Sequence, residues 1–493
     1  MKHSLMTLAT NSGAMPLHPA AIQAPTAARS LRLLAVLVSA AVLGGCASFS
    51  PDGGFAAVEK TAKDRLGKDV QWARSDADQD SIAERVSGLL SKPLTVDDAV
   101  QVALLNNRGL QATFQELGIT EAEVVQAGRL PNPGFNFGRS SRGDEREIER
   151  GLHFNIARLI AMPFIGQMEA RRFEQTKGMV AMSVLSLAAD TRKAYYNALA
   201  AEETVRYMRQ VRLAADASAE LARRMEQVGN FNKLQRAREQ VFYADASLNL
   251  ARAQQAQRST RERLTRLLGA WGAQTQFTLP ARLPDLPKEP MELPDIERVA
   301  LAQRLDVQGT RLAAEQTARN LGLTRTTRFI NVLELGIRRN SSNEAPTQRG
   351  WEIGLELPLF DWGGARVARA EAVYMQTVHR AAEIAINARS EVREAYTGYR
   401  SAYDIARHQR DEVVPLNQRI SEQNMLRYNG MLIGVFELLA DARAQIASVN
   451  GSIQALRDFW IAQADLDMAL IGKPSIAAAA GPAMAAQAAG PGH

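Results

Sequence analysis

Residues that could carry out chemistry are few and scattered in this 493-residue chain. No two histidines stand at metal-ligand spacing, and no glycine-rich loop ends in the Gly-Lys-Ser/Thr that holds a phosphate. Asp465 and Asp467 fall on opposite sides of a predicted helix, where we expect both to be solvated. The histidines are His3, His18, His153, His379, His408 and His493. The sequence therefore predicts no catalytic site, no metal site and no cofactor.

Four methionines gather loosely along one predicted helix, at Met162, Met168, Met179 and Met182. Thioethers can bind Cu(I). At this spacing, however, the four side chains are more typical of packing between helices, and we do not predict a copper site from them.

Cys46, the only cysteine, is the one residue with a predicted chemical fate. Arg29 and Arg32 precede an apolar run at residues 33–43, which is too short to span a bilayer but suits a secretory signal. Leu43-Gly44-Gly45-Cys46 then resembles the lipobox of bacterial lipoproteins, which implies cleavage after residue 45 and fatty acylation of Cys46. The alternative is an ordinary signal peptide that a cysteine follows by chance.

The elements that must position any site occur twice along the chain. The matched segments are Ala103-Leu104 with Ala300-Leu301, Arg192-Lys193-Ala194-Tyr195 with Arg393-Glu394-Ala395-Tyr396, Gly229 with Gly430, and Leu268-Gly269 with Ile471-Gly472, at offsets of 197, 201, 201 and 203. An offset that drifts this slowly predicts an internal duplication with small insertions.

Long helices dominate both halves. Residues 164–227 and 362–428 predict two long helices, and the first would reach roughly 96 Å at about 1.5 Å per residue. Residues 94–128, with Thr95 as the cap, and 231–268 predict shorter helices. A seam with spacings of three and four indicates coiled-coil packing of the last helix; it consists of Leu439, Ala442, Ile446, Val449, Ile453 and Leu456.

Four short segments alternate apolar and polar residues, which predicts strands with one apolar face. The apolar positions are Phe135, Phe137, Leu152, Phe154, Ile156, Leu333, Leu335, Ile337, Trp351, Ile353 and Leu355. Polar loops at residues 139–150 and 339–349 separate the paired segments. Strands of this length suit a membrane β-barrel. Four strands cannot close one, so several copies of the chain are needed, and three would supply twelve strands. The alternative is two soluble hairpins packed on a core.

Charge argues against one class of partner. The chain has a net charge of +6, but its 59 basic and 53 acidic residues are interspersed along the predicted helices. Such mixing is typical of a solvated helix surface, whereas a nucleic-acid footprint would cluster the basic residues. We therefore expect no nucleic-acid partner.

Over roughly residues 94–472, these motifs in this order resemble the TolC-like outer-membrane factors. Leu94-Thr95-Val96-Asp97-Asp98-Ala99-Val100 with Asn106-Asn107 is similar to the family's opening helix, and Leu130-Pro131-Asn132-Pro133 to the approach to its first strand. Leu357-Pro358-Leu359-Phe360-Asp361-Trp362-Gly363-Gly364 resembles the exit from the last strand into a long helix.

The resemblance implies a mainly α-helical homotrimer with a β membrane part. A twelve-stranded β-barrel in the outer membrane, with the apolar strand positions facing lipid, would continue as a twelve-helix α-barrel through the periplasm. Its turns at Gly229-Asn230 and Tyr428-Asn429-Gly430 would contact a periplasmic adaptor protein and an inner-membrane pump. Glycine there permits a positive φ.

One departure from the family concerns the pore. Relatives place a ring of carboxylates shortly after the second turn, where this chain has Phe436 and Leu439, with Glu437 and Asp441 nearby. Either Glu437 rebuilds the ring, or the constriction is apolar; the sequence leaves both open.

The resemblance implies a non-enzymatic exit duct of a tripartite efflux system, passing metal ions or small toxic compounds. A type I protein-secretion duct and a pore-free, lipid-anchored periplasmic coiled-coil scaffold remain alternatives. The expected domains are a signal peptide (1–45), a lipid-anchored, irregular tether (46–93), a first repeat (94–279), a Pro-rich linker (280–294), a second repeat (295–472) and a disordered Ala/Gly tail (473–493).

Overall fold

The computed structural model describes residues 47–327, 333–355 and 359–474. The signal peptide, Cys46 and the tail from residue 475 onward lie outside the described residues, so what the sequence predicts for them stays a prediction. The described residues from Phe49 onward pack as one unit.

Helices alternate with two β-hairpins along the described chain. The elements are α1 (Phe55–Leu66), α2 (Asp76–Leu90), α3 (Val96–Asn106), α4 (Arg108–Ala127), β1 (Gly134–Arg142), β2 (Glu145–Asn155), α5 (Ile156–Gln227), α6 (Lys233–Leu268), a short 3₁₀ turn (Gly272–Thr275), α7 (Ile296–Gln303), α8 (Leu305–Thr327), β3 (Leu333–Ser342), β4 (Gln348–Leu355), α9 (Gly364–His408), a π-helical turn (Gln409–Val413), α10 (Val414–Asn429) and α11 (Val435–Ile471).

The segment before residue 94 contains two helices, so the irregular structure expected for the tether is wrong. Helix α1 buries Val58 and Ala62, which are four residues apart and therefore share one face. Helix α2 begins at Ser75, whose hydroxyl caps it, and buries Ile82 and Val86 in the same way. Phe55 and Leu66 of α1, and Leu89 and Leu90 of α2, pack against the same clusters. The three- and four-residue spacing of a helix was therefore present in the sequence and was missed.

Helix α5 runs unbroken for 72 residues, about 108 Å at 1.5 Å per residue. Its predicted start at residue 164 is wrong, because the helix begins at Ile156 and passes through Pro163. Proline inside a helix loses one hydrogen bond and crowds the preceding turn. The start is fixed by Asn155, whose side-chain oxygen accepts a hydrogen bond from the N–H of Arg158 at 2.7 Å.

The second long helical run is confirmed, from Gly364 to Asn429 against the predicted 362–428. It is not a regular α-helix throughout, since the single π-helical turn separates α9 from α10. Pro415 follows directly, at the second residue of α10. A π turn rearranges the backbone hydrogen bonds next to the proline, so the chain continues as a helix across a residue that would otherwise kink it.

The predicted helix at residues 94–128 is divided at Asn107 into α3 and α4. Thr95 caps α3 as predicted, and its hydroxyl accepts from the N–H of Asp98 at 3.1 Å. The amide of Asn106 donates to the Gly269 carbonyl at 2.8 Å, where α6 ends. Gly269 has a φ of 63°, and a Cβ there would lie 2.6 Å from the Asn106 carbonyl oxygen. Only glycine fits this close approach.

The proline-rich segment at residues 280–294 is held against the second-half helices. The indole N–H of Trp460 donates to the Pro284 carbonyl at 3.0 Å, and the Tyr403 hydroxyl donates to the Lys288 carbonyl at 2.7 Å. Leu286 is buried in the same cluster. These contacts give the segment a fixed path.

The described strands form one antiparallel sheet in the order β1-β2-β3-β4. The expectation that residues 139–150 and 339–349 are loops is wrong, because strand pairing continues through most of both segments. Gly143 and Asp144 alone connect the pair Arg142 and Glu145, and Gly143 has the positive φ, 63°, that such a tight turn requires. Alternating polar residues extend a strand as readily as apolar ones where both faces are exposed.

Candidate functional site

The apolar strand positions form rows across one face of the sheet. Residues directly opposite on antiparallel strands point to the same side. The register places Leu152 opposite Ile337 and Ile337 opposite Trp351. The rows are Phe135, Leu152, Ile337 and Trp351; Phe154, Leu335 and Ile353; and Leu333 with Leu355, while Phe137 lies one row beyond the first. This face is exposed, with Trp351 at 74% and Ile353 at 58%.

Ile156 does not belong to that face. It was predicted as the last apolar position of β2, but it is the first residue of α5. The cap that Asn155 supplies ends the strand one residue earlier than the apolar alternation suggested.

The opposite face of the sheet carries the acidic side chains of the strands. These are Glu145, Glu147, Glu149, Glu334 and Glu352. Arg338 shares this face and forms an ion pair with Glu352. The two-residue period of the strands therefore gathers all five glutamates on one face, although they look mixed with arginines in sequence.

The first helix turn follows the end of α5, and its Gly229 has the left-handed backbone conformation, with a φ of 81°. The Gly229 N–H donates to the Glu226 carbonyl at 3.0 Å, and the Asn230 N–H donates to the Met225 carbonyl at 2.8 Å. These two bonds form a Schellman motif. The positive φ expected of this glycine is confirmed, and both Gly229 and Asn230 are exposed.

The second helix turn differs from its prediction. Gly430 has a φ of −81°, and the left-handed residue is Met431, with a φ of 59°. The Met431 N–H donates to the Tyr428 carbonyl at 2.9 Å, and the Leu432 N–H donates to the Arg427 carbonyl at 2.8 Å. The same Schellman motif therefore lies one residue later than the sequence repeat indicated.

Both turns lie at the same end of the helices. Ile446 of α11 packs against the cluster that contains Val211 of α5 and Phe242 of α6, and the Arg443 guanidinium lies 4.9 Å from the centre of the Phe242 ring. Gly229, Asn230, Asn429 and Gly430 are exposed there, and Tyr428 is half-buried. Sequence reasoning missed the exposed apolar residues beside them, Val228 (71%), Leu432 (73%) and Met431 (94%).

The candidate constriction residues all fall in the first turns of α11. Asp441 accepts a hydrogen bond from the Asn424 amide, which ties α11 to α10 next to the turn. Glu437, one helical turn earlier, is exposed. The side chains of Phe436 and Leu439 lie outside the described set, so their predicted role stays a prediction.

Arg304, which sequence reasoning missed, is the largest fully buried side chain described, with 1% of it exposed. One guanidinium nitrogen lies 2.7 Å from carboxylate oxygens of both Asp306 and Glu391. This ion triad fixes the corner between α7 and α8 onto α9. The sequence offered one signal, since Arg304 stands 197 residues after Asn107, the residue that divides α3 from α4.

Asp465 and Asp467 are not free in solvent as expected. The Lys193 ammonium lies 3.0 Å from Asp465, and the Arg192 guanidinium lies 3.8 Å from Asp467. Partial burial between α5 and α11 raises the pKa of the Asp467 carboxyl above its usual range, against the opposing effect of Arg192. Arg192 and Lys193 thus hold the last helix against α5.

Two properties of the described residues bear on transport chemistry. These residues contain no group of three or more His, Cys, Asp or Glu side chains arranged to hold a metal ion. Within the same ranges, every helix is too short or too polar to span a membrane. Of the methionines, Met182 packs against Gly472, and Met179 is 58% exposed.

No family model matches the chain. The cobalt-zinc-cadmium resistance protein CzcC of Cupriavidus metallidurans is 26% identical over 279 residues, which are 55% of this chain and 64% of CzcC. The matched region therefore spans less than two thirds of that relative.

Solved structures match over more of the chain. CusC, whose crystal structures concern transmembrane channel formation, has a TM-score of 0.65 at 18% identity, covering 76% of this chain and 92% of CusC. The CmeC outer membrane channel of Campylobacter jejuni has a TM-score of 0.66 at 16% identity, covering 84% of this chain and 91% of CmeC. At such identities the likeness shows the fold.

The mostly helical architecture with one small sheet is thus the fold of the TolC-like outer-membrane channels. The resemblance predicted from the sequence is confirmed.

Proposed function

We propose that this chain is the outer-membrane exit duct of a tripartite efflux system, which passes metal ions or small toxic compounds unchanged. The observation that carries the proposal is the sheet. Within the described residues, β1 and β4 each pair on one side only, and the apolar face is exposed. Unpaired strand edges invite pairing with further strands. Three copies of this sheet would supply twelve strands and close a barrel.

An outer-membrane location follows from the channels whose fold the chain shares. In that location the apolar rows face lipid and the carboxylate-bearing face lines a water-filled lumen. Lipid on Cys46 would anchor α1 and α2 to the periplasmic leaflet. This arrangement explains why so many large apolar side chains of the strands are exposed in a single chain.

The helices form the periplasmic part of the duct. Each half contains a helix pair, a β-hairpin, a long helix and a returning helix, which supports the duplication and the repeats at 94–279 and 295–472. Three copies would build the twelve-helix barrel. The paired turns, with exposed Val228, Met431 and Leu432 beside Gly229, Asn230, Tyr428, Asn429 and Gly430, are the surface we assign to the adaptor protein and pump.

Metal ions are the favoured cargo. CzcC, the curated relative, is a cobalt-zinc-cadmium resistance protein. A duct for protein secretion has no such support. A pore-free scaffold would share the helices, but it would not need four strands with one exposed apolar face.

Growth of a deletion strain tests the proposal directly. Strains with and without the restored gene are exposed to graded cobalt, zinc, cadmium, copper and silver salts, and in parallel to dyes, detergents and antibiotics. Sensitivity confined to metal salts supports a metal duct, and sensitivity to the organic compounds makes it a duct for small toxic molecules. A loss of protein export instead would establish the secretion alternative.

The mass of the detergent-extracted protein separates the duct from the scaffold. A trimer that retains a detergent belt after the acyl chains are removed supports the barrel. A monomer or dimer that stays in solution without detergent would eliminate it.

A further inference from the structure

Three arginines lie side by side across the apolar face of the sheet. Arg150 of β2 is directly opposite Arg339 of β3, and Arg339 is directly opposite Arg349 of β4. Their row adjoins the row of Leu152, Ile337 and Trp351, one strand repeat closer to the hairpin turns. All three arginines are exposed.

The same face carries further arginines beyond that row and no carboxylate on any described strand. Arg139 lies one row closer to the β1-β2 turn, opposite Ile148, and Arg146 lies one row beyond that, opposite Ser141. The five strand glutamates all point to the opposite side, where Arg338 pairs with Glu352. The face therefore changes along its length from apolar to rich in arginine, with Phe137 and Ile148 lying among the arginines.

Such a row is unfavourable by itself. Neighbouring strands are about 4.8 Å apart, and like charges directly opposite each other destabilise a sheet. No described carboxylate forms an ion pair with Arg150, Arg339 or Arg349. A guanidinium matches a phosphate with two parallel hydrogen bonds, so an anionic phosphate partner would turn this repulsion into attraction.

The position of the row identifies the source of the phosphate. On one side lie exposed apolar rows suited to hydrocarbon, and on the other lie the polar hairpin turns. A surface that is apolar and then anionic over this short distance is that of a lipid monolayer with charged headgroups. A free anion or an acidic protein would have no use for the adjoining apolar rows.

We propose that the row of Arg150, Arg339 and Arg349 binds the phosphates of anionic lipid headgroups at the outer end of the membrane-embedded sheet. This rests on the proposed function, because it requires the apolar face to lie in a bilayer. It adds a lipid specificity: the barrel selects anionic phospholipids or phosphorylated glycolipids around its outer rim and is stabilised by them.

The test uses full-length protein purified in an uncharged detergent. Apparent dissociation constants for phosphatidylglycerol and phosphatidylcholine are measured by native mass spectrometry, and melting temperatures with and without each lipid. The variant Arg150→Gln/Arg339→Gln is compared with Arg142→Gln/Arg338→Gln, which removes two arginines from the opposite face of the same sheet.

The wild-type protein and the opposite-face variant are expected to prefer phosphatidylglycerol. In the Arg150→Gln/Arg339→Gln variant, the ratio of the dissociation constants for phosphatidylcholine and phosphatidylglycerol should fall roughly 25-fold, because each arginine near an anionic surface contributes about five-fold. Without lipid this variant should melt at or above the wild-type temperature, because a repulsion has been removed. A residue with only a structural role would lower the melting temperature in both conditions.

Equal phosphatidylglycerol binding by both variants would overturn the inference. So would inorganic phosphate alone producing the same stabilisation, since the ligand would then be a free anion. If the protein inserts into vesicles and shows no lipid preference, only this inference fails. If it does not insert into vesicles of any composition, the proposed duct fails as well.

Discussion

Gly229 and Met431 occupy the same left-handed position in the two helix turns, with φ values of 81° and 59°. The paired hydrogen bonds around them are identical in pattern, although the sequence repeat aligns Gly229 with Gly430 instead. A glycine accepts this conformation freely, whereas a side chain with a Cβ is strained in it. The second turn therefore stores backbone strain that the first does not.

Replacing Met431 with glycine should stabilise the protein. The left-handed conformation costs a residue with a side chain about 1–2 kcal/mol, and the added freedom of glycine in the unfolded chain offsets about 0.5–1 kcal/mol of that gain. We expect a net increase of about 0.5–1 kcal/mol in the free energy of unfolding, measured by urea denaturation.

The reciprocal variant Gly229→Met is the control. A Cβ at Gly229 has no neighbouring atom within 4 Å, so the only cost is in the backbone. It should destabilise by a similar amount. Equal stability of all three proteins would show that neither turn is strained.

Loss of Arg304 should be among the most damaging single substitutions in the described chain. Arg304→Ala leaves Asp306 and Glu391 in a partly buried corner without their shared cation. Removing one partner of a buried ion group costs about 3–5 kcal/mol. Thermal unfolding in detergent measures the loss.

Arg298→Ala is the matched control, because Arg298 pairs only with Asp295 and is 81% exposed. Its effect should stay within about 0.5 kcal/mol. The triple variant Arg304→Met/Asp306→Asn/Glu391→Gln removes the whole charge group and should recover most of the stability. If Arg304→Ala has the same melting temperature as the wild type, the triad does not stabilise the corner between α7 and α8.

The sequence predicted the strands and long helices well because those elements repeat one simple rule over many residues. Period-two alternation at Leu333, Leu335 and Ile337 needs no tertiary information, and neither does a proline-poor helical run. The same logic failed at Pro163, where a strong cap at Asn155 determines the helix start regardless of the proline.

Features that depend on partners distant in sequence could not be predicted. Arg304 is buried beside Glu391, whose carboxylate lies 2.7 Å from its guanidinium although the two residues are 87 positions apart in the sequence. The arginine row of the sheet could be found only from the strand register, which places Arg150, Arg339 and Arg349 directly opposite one another.

Stability should depend on pH through Asp467. Burial raises the pKa of this carboxyl in the folded protein above the ordinary value of 3.8. The folded state then holds the proton more tightly than the unfolded state, so the free energy of unfolding falls as pH rises from 3.8 through the raised value. Because the side chain is 40% exposed, we expect the loss to be under about 1 kcal/mol.

The variant Asp467→Asn should lack this pH-dependent loss. Its stability relative to the wild type should improve as pH rises above 3.8. Asp465→Asn is the contrast, since it breaks the ion pair with Lys193 at 3.0 Å and should destabilise at neutral pH. Parallel melting curves for Asp467→Asn and wild type across that range would contradict the assignment.

The hydrogen bond between Asn424 and Asp441 should restrain the periplasmic end of the duct. It joins α10 to α11 beside the second turn. In the proposed duct, a wider opening at this end would require these two helices to separate. A hydrogen bond to a charged group contributes about 1.5–3 kcal/mol. Asp441→Ala should therefore raise passive entry of a large antibiotic such as vancomycin, measured as a lower inhibitory concentration in the complemented strain.

Asn424→Ala provides the second half of that test, because it removes the same bond from the other helix. Both variants should leak to a similar degree, and the double variant should leak no more than either one. If Asp441→Ala leaks and Asn424→Ala does not, the carboxylate acts by its charge in the pore instead of by this bond.

The facing of the sheet can be tested with two adjacent residues on β3. Leu335 lies in the middle apolar row, whereas Glu334 points to the opposite face. An arginine on the lipid side costs about 2–4 kcal/mol near the bilayer midplane, and a trimer would incur that cost three times. Leu335→Arg should therefore sharply reduce the amount of the proposed trimer recovered from outer-membrane fractions. Glu334→Arg, which introduces the same side chain one residue away, should leave the trimer largely intact; equal losses from both would mean that the apolar face does not contact lipid.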